Sequence, residues 1–315
     1  MKTRADSFTS RFLAAATRPA RPWLHITVSP RTARFLVAAG ARPAPTQRVA
    51  KLADRVAYYE RIFGLRNQLS GADRTRANLS GADLTHRDLS DANLICARLV
   101  GANLTDANLT RTYLAGADLT DAHLTRANLT RGHLTDARLV GANLGRAILT
   151  DADLSGANLA RAILSDAQLG GAWLGGANLN AADLTRADLT RARLIRSRLS
   201  GANLNGADLT SAILTDAHLT RANLTRANLV GAQLTGANLT LARLRGANLS
   251  GADLTSTILV GTDLVGILWS DHTNWPRAVA KAIRARSEEV RPGVWRVAGS
   301  GPAGTEIDAP LTPVR

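Results

Sequence analysis

Gly101-Ala102-Asn103-Leu104-Thr105, and again Ala222-Asn223-Leu224-Thr225-Arg226, show the unit from which most of this chain is written. Leucine stands at every fifth residue from Leu69 to Leu264, without insertion or deletion. Of these forty positions, thirty-nine are Leu and one is Arg74. Two residues before the leucine the side chain is small. Thirty-three of the thirty-nine positions from Ala72 to Thr262 are Ala, the exceptions being Arg87, Thr112, Gly132, Ser197, Thr257 and Thr262. On an α-helix, leucines five apart step round by about 140° and share no face. On a flat strand an odd period sends successive leucines to opposite faces. A chain that bends the same way after every five residues can point every leucine at one axis. The residue two before shares that direction, because strand side chains repeat with period two. The shared interior therefore takes one large and one small side chain per repeat, and the other three residues face outward.

Residues 69–268, about two-thirds of the chain, resemble the pentapeptide-repeat family in these stretches. The resemblance implies an all-β solenoid, a right-handed quadrilateral β-helix with four pentapeptides per coil. It would have about ten coils and, at a strand spacing of ~4.8 Å, a length of roughly 48 Å. Solenoids of this kind bury the apolar side of each unit against its neighbours.

The organisation expected around the rod has four parts. Residues 1–45 form a basic, disordered arm rich in Arg, Ala and Pro. Residues 46–68 form an amphipathic helix that caps the first coil, with Val49, Leu52, Ala53, Val56, Tyr59 and Phe63 at helical spacing. The β-helix occupies 69–268, and a C-terminal helical cap with a flexible tail occupies 269–315. Caps are needed because stacked strands leave unpaired edges. At the C-terminal end Trp269 takes the leucine's place. Thr273 or Asn274 is placed to cap a helix, with Pro276 in its first turn. Trp275, Val279 and Ile283 form the apolar stripe, and Val290 before Arg291-Pro292 ends the helix. A strand around Val294–Val297 and a loose tail from Gly299 follow.

The net charge of +14 is unevenly placed. Residues 1–68 carry +10, while the repeat block sets nineteen Arg against seventeen Asp, with no Lys or Glu, for only +2. The basic arm makes nucleic acid or an anionic surface a possible partner of residues 1–68. The single Cys96 excludes an intramolecular disulfide. No apolar run reaches the ~18 residues of a membrane span, and the expected location is cytoplasmic.

No catalytic constellation, cofactor motif or metal-ligand set stands out. None of the six histidines, His25, His86, His123, His133, His218 and His272, has ligand spacing to another His or Cys. The expectation is a non-enzymatic rod that presents a surface to a protein, as a monomer or as a homodimer through the C-terminal helix. The resemblance also brings a second reading, since one branch of the family inhibits DNA gyrase by imitating DNA. A 48 Å stretch of B-DNA carries on the order of 28 charges. The near-neutral rod disfavours that role.

Two surface features are better leads. Residues twenty apart stack on one face, so Tyr113, His133, Asp153, Trp173 and Arg193 share one column. Tyr113 and Trp173 are the only aromatics among the outward repeat positions, and aromatic and Arg side chains are favoured at interface hot spots. This makes Tyr113, His133, Trp173 and Arg193 a candidate interaction surface. Arg186, Arg191, Arg193, Arg196 and Arg198 form a candidate basic girdle at one level of the rod, suited to an acidic partner or phosphates. Asp106 and Asp166, close to the arginine column Arg126, Arg146, Arg186 and Arg226, favour simple ion pairing instead.

Overall fold

The computed structural model describes residues 69–298; the arm 1–45, the expected helix within 46–68 and the tail from Gly299 lie outside them. Parallel bridges join each residue before a leucine to its equivalent twenty positions on, as in Asn103↔His123 and Asn108↔Asn128. Four such ladders run along the molecule, beginning at Asp73, Asn78, Asp83 and Asp88. We call them faces 1 to 4. The result is a quadrilateral β-helix of twenty residues per coil.

The backbone of one unit explains why five residues suffice. The Leu104 N–H donates to His123 O (2.7 Å) and the Asp106 N–H to Thr125 O (3.0 Å), both one coil ahead. The Ala107 N–H turns back to Leu104 O (3.0 Å), and the Asn103 N–H reaches Ala82 O one coil behind (2.9 Å). The fifth donor, the Thr105 N–H, is taken by the Asn103 side chain at 3.2 Å. Every backbone donor of the unit thus has a partner without a long strand. The Asn or Asp before the leucine is outward, as the repeat implies, but it is structural rather than decorative.

The corner is a turn in which the second residue after each leucine has φ between +53° and +70°. With the i+3→i hydrogen bond this is type II turn geometry, which favours Gly or Asn at that place. Sixteen of the forty corners are Gly, and the other twenty-four are not. The stacked ladders hold ordinary side chains in a region they seldom enter.

At the two inward positions of each repeat, the leucines and alanines from 89 to 254 are 0–1% exposed. Hydroxyls that replace alanine are satisfied in place. Thr112, Thr257 and Thr262 donate to Leu89 O, Leu234 O and Leu239 O at 2.8, 2.8 and 2.9 Å, and Ser197 donates to Leu194 O at 2.7 Å.

At the C-terminal end β1 (Leu268–Ser270) continues face 4 and pairs antiparallel with β3 (Val294–Val297). Helix α1 (Arg277–Ala285) packs Ile283 and Val279 over the core. Two expectations are corrected here. The helix stops at Ala285, not at Val290, because β2 (Ser287–Arg291) forms a hairpin with β3 that turns through Gly293 at φ +71°. Neither Thr273 nor Asn274 caps the helix. Pro276 holds the cap position without a side-chain bond, Thr273 donates to Leu249 O (2.9 Å), and Asn274 forms the last rung of face 1. Trp269 fills the leucine's place, donating to Ser287 Oγ at 2.9 Å.

Leu159→Asp puts an unpaired charge into the closed interior, where no group can solvate it. The variant is expected to lose several coils and its cooperative melt. Full β-type circular dichroism with unchanged melting would contradict the register described here.

Candidate functional site

The column singled out by sequence lies on face 1, where successive bridges join Asn93, Tyr113, His133, Asp153, Trp173, Arg193, Ile213 and Gln233. Tyr113 and Trp173 are 46% and 50% exposed. The Tyr113 and His133 rings stack at 4.9 Å with 8° between planes. The Arg193 guanidinium lies 5.0 Å over the Trp173 ring, within cation–π range. Strand spacing dictates both contacts, since side chains in one column are held about 4.8 Å apart.

What sequence reasoning missed is the backbone under these side chains. Of the seven residues from Tyr113 to Gln233 in the column, only Asp153 keeps the acceptor that the turn uses, receiving the Ser155 N–H at 3.0 Å. Replacing Asn or Asp by Tyr, His, Trp, Arg, Ile and Gln removes it. The N–H groups of Ala115, Thr135, Gly175, Ile195, Thr215 and Thr235 have no acceptor among the described residues. The same donor is left over at Val100, Val140, Thr220 and Val260 on face 2 and at Thr125, Ser165 and Arg245 on face 3. What sets face 1 apart is therefore its exposed aromatic rings. Trp173 also stands between Gly170-Gly171 and Gly175-Gly176, which leave both its flanks low.

The basic girdle does not act as one body. Arg186 is tied to Asp166 through Nε and Nη2 at 2.7 and 2.8 Å. Arg196 lies 3.8 Å from Asp216, and Arg193 covers Trp173. Arg191 and Arg198 have no carboxylate within 4.0 Å among the described residues. The same pairing recurs along the corners, in Arg111 with Asp91 and Arg126 with Asp106. Seven corners carry Asp, and the residue twenty positions on is always Arg or Gly. Where it is Arg the carboxylate is held in a fork. Where it is Gly, as at Gly141, Gly156, Gly171 and Gly236, the carboxylate of Asp121, Asp136, Asp151 or Asp216 lies where a Cβ would stand.

Hydrogen bonds from these arginines hold Asp91, Asp106 and Asp166 below the usual carboxylate range. The Thr85 hydroxyl, then its N–H, does the same for Asp83, and the Thr75 N–H, then its hydroxyl, for Asp73. At Asp153 burial pushes upward, but Ser155, Thr135 and His133 together outweigh it. Among the described residues no group of His, Cys, Asp and Glu could hold a metal ion, and no helix is long and apolar enough to cross a membrane. Cys96 is exposed on its corner.

The sequence profile described as pentapeptide repeats matches residues 72–111, 102–139, 127–166, 162–201, 202–240 and 242–267. No curated protein sequence matches the chain. Among solved structures, HetL of Nostoc sp. strain PCC 7120, a pentapeptide repeat protein involved in heterocyst differentiation regulation, is 36% identical. The match covers 69% of this chain and 96% of HetL, with a TM-score of 0.43. A pentapeptide repeat protein of the Arabidopsis thaliana thylakoid lumen is also 36% identical over 31% of this chain and 65% of its own, with a TM-score of 0.24. QnrB1, a plasmid-mediated fluoroquinolone resistance protein, is 18% identical over 66% of this chain and 96% of its own, with a TM-score of 0.26.

The lowered aspartates give the rod an acid limit. A carboxyl with a depressed folded pKa stabilises the fold above its unfolded value, near 3.9, and that contribution is lost as pH falls through the folded value. The melting temperature is expected to stay level from pH 7 to about 5 and to drop below about pH 4. Calorimetry across this range checks it, and a fall between pH 7 and 5 would contradict the assignment.

Proposed function

Because the chain belongs to the pentapeptide-repeat family, whose members fold as right-handed quadrilateral β-helices, we propose that it is a non-enzymatic rod that scaffolds an interaction with another protein. Family members are typically structural or interaction proteins. The observation that carries the reading is face 1, where Tyr113 stacks on His133 and Arg193 lies over the exposed Trp173. Trp, Tyr and Arg, the types that face 1 exposes, are the side chains enriched where binding energy concentrates. Arg191 and Arg198, the two arginines of the candidate girdle with neither a carboxylate nor a ring against them among the described residues, give this level a basic edge that suits an acidic partner.

In this reading residues 69–268 are the working rod of about ten coils, with the C-terminal helix and hairpin closing one end and the amphipathic segment 46–68 the other. The protein is cytoplasmic, and monomeric or paired through α1. Gyrase inhibition by DNA mimicry is the weaker alternative. Asp91, Asp106 and Asp166 are neutralised by bidentate arginines, so they do not reproduce a phosphate array. The +10 arm of residues 1–68 supports a further alternative, contact with nucleic acid or an anionic surface.

A crosslinked pull-down from native lysate, with and without nuclease, tests the proposal. The full chain is expected to retain a nuclease-resistant protein that Trp173→Ala with Arg193→Ala releases. Truncating a hot-spot tryptophan costs about 2 kcal/mol, roughly thirtyfold in Kd. If the double variant keeps every captured protein, face 1 is not the working surface. Capture that vanishes with nuclease would transfer the role to the basic arm.

A further inference from the structure

Three of the eleven corner arginines, Arg111, Arg126 and Arg186, are neutralised by an aspartate one coil earlier in the same column, as Arg186 is by Asp166. Arg221 is not. Twenty residues before it stands Gly201, and a Cβ built there would meet nothing within 4 Å. Neither Arg221 nor Arg243, on adjoining face 3, has a carboxylate within 4.0 Å among the described residues. Asp263, which bridges to Arg243, is engaged by Arg245 at 3.4 Å.

One coil beyond Arg221, the same corner column carries Leu241, at φ +58° and 51% exposed. The other non-glycine corners are Arg, Asp, Ala, Ser, His or Cys. A bulky side chain at positive φ is an outlier, and this one gains no burial from its place. Val260, whose carbonyl accepts the Leu241 N–H at 2.8 Å, and Ile258 are exposed beside it. Gly201, Asn203, Arg221, Asn223, Leu241 and Arg243 line a groove of about 480 Å³ along the corner between faces 2 and 3.

We propose that this groove docks an acidic segment of a partner protein, one of whose carboxylates takes the place over Gly201 that Asp fills at the paired corners. The occupant follows from complementarity. A carboxylate there meets Arg221 Nε and Nη2 as Asp166 meets Arg186, in the fork geometry that arginine favours. An apolar residue next to it covers Leu241 and Val260. The neighbouring Asn223 amide is already given to Asn203 Oδ1 at 3.0 Å, so the arginines are the donors that select the ligand. Nothing in this argument uses face 1, and Trp173→Ala leaves the groove intact.

The test is selection of phage-displayed random twelve-residue peptides on the full-length chain. Enriched peptides are expected to place Asp or Glu beside Leu, Ile or Phe. Gly201→Asp gives Arg221 a carboxylate of its own, at a kind of corner where seven aspartates already sit at positive φ, three of them held by the arginine twenty residues on. It should weaken the selected peptides at least tenfold, as should Arg221→Gln and Arg243→Gln. Gly231→Asp, of equal charge on the diagonally opposite corner, should leave binding unchanged. Should Gly201→Asp melt abnormally, the two glutamine variants carry the test. Peptides without acidic residues, binding indifferent to all three groove variants, or preferential binding of a single-stranded oligonucleotide to the same arginines would each overturn the proposal.

Discussion

From Leu79 to Leu249 each inward leucine N–H donates to the carbonyl nineteen residues ahead, at 2.6–2.9 Å. That bond closes the coil, and everything else in the molecule is subordinate to it. Closure fixes twenty residues per turn, which turns a one-dimensional list into four faces and four corners. It also places residues twenty apart in contact whatever their type. Tyr113 stacks on His133 and Arg193 lies over Trp173 because the ladder holds them one coil apart along the axis. The leucine and alanine columns supply the burial that makes the closure stable, at about 2 kcal/mol for a fully buried leucine. They do so without aromatic packing until Trp269, Trp275 and Trp295 gather at the C-terminal end.

Much of this was legible from period alone. A five-residue spacing of Leu69 to Leu264 is incompatible with helix or flat strand, and the inward Ala positions follow from strand alternation. Counting by twenty also placed the face 1 column correctly. Less legible was the work of the residue before the leucine. From the sequence Asn103 and Asp83 are only outward-facing residues, whereas their side chains take the one N–H that the ladders leave over. The signal was partly present in Asn or Asp at twenty-three of the thirty-nine positions from Asp73 to Asp263. Exceptions such as Arg98, Arg138, Ile163 and His218 fall on other faces too, so the position alone does not single out face 1. The end of α1 was misread because Val290-Arg291-Pro292 resembles a helix stop, while pairing of β2 with β3 decides the matter through non-local bonds.

Charge follows the same columnar logic. Nineteen Arg and seventeen Asp in the repeat block do not scatter. Corner aspartates are followed one coil on by either a forked arginine or a glycine over which the carboxylate leans. Surface ion pairs of this exposure contribute little to stability. Their effect is to reduce the field of the rod, and Arg191 and Arg198 near face 1 and Arg221 and Arg243 at the corner groove are some of the arginines left without a carboxylate among the described residues.

The corner turn has a consequence for how such a rod can change over generations. Every unit is interchangeable at the level of its backbone and its buried pair, so gain or loss of a single pentapeptide leaves the interior filled. It nevertheless swings all downstream residues by a quarter turn relative to those upstream. One such event between His133 and Trp173 would carry the tryptophan and Arg193 onto a different face from Tyr113, while four together would restore the alignment and lengthen the rod. Surface composition can thus be reshuffled wholesale by small in-frame length changes, with the interior unaffected, and descent in this architecture is better followed by phase modulo twenty than by residue-for-residue likeness.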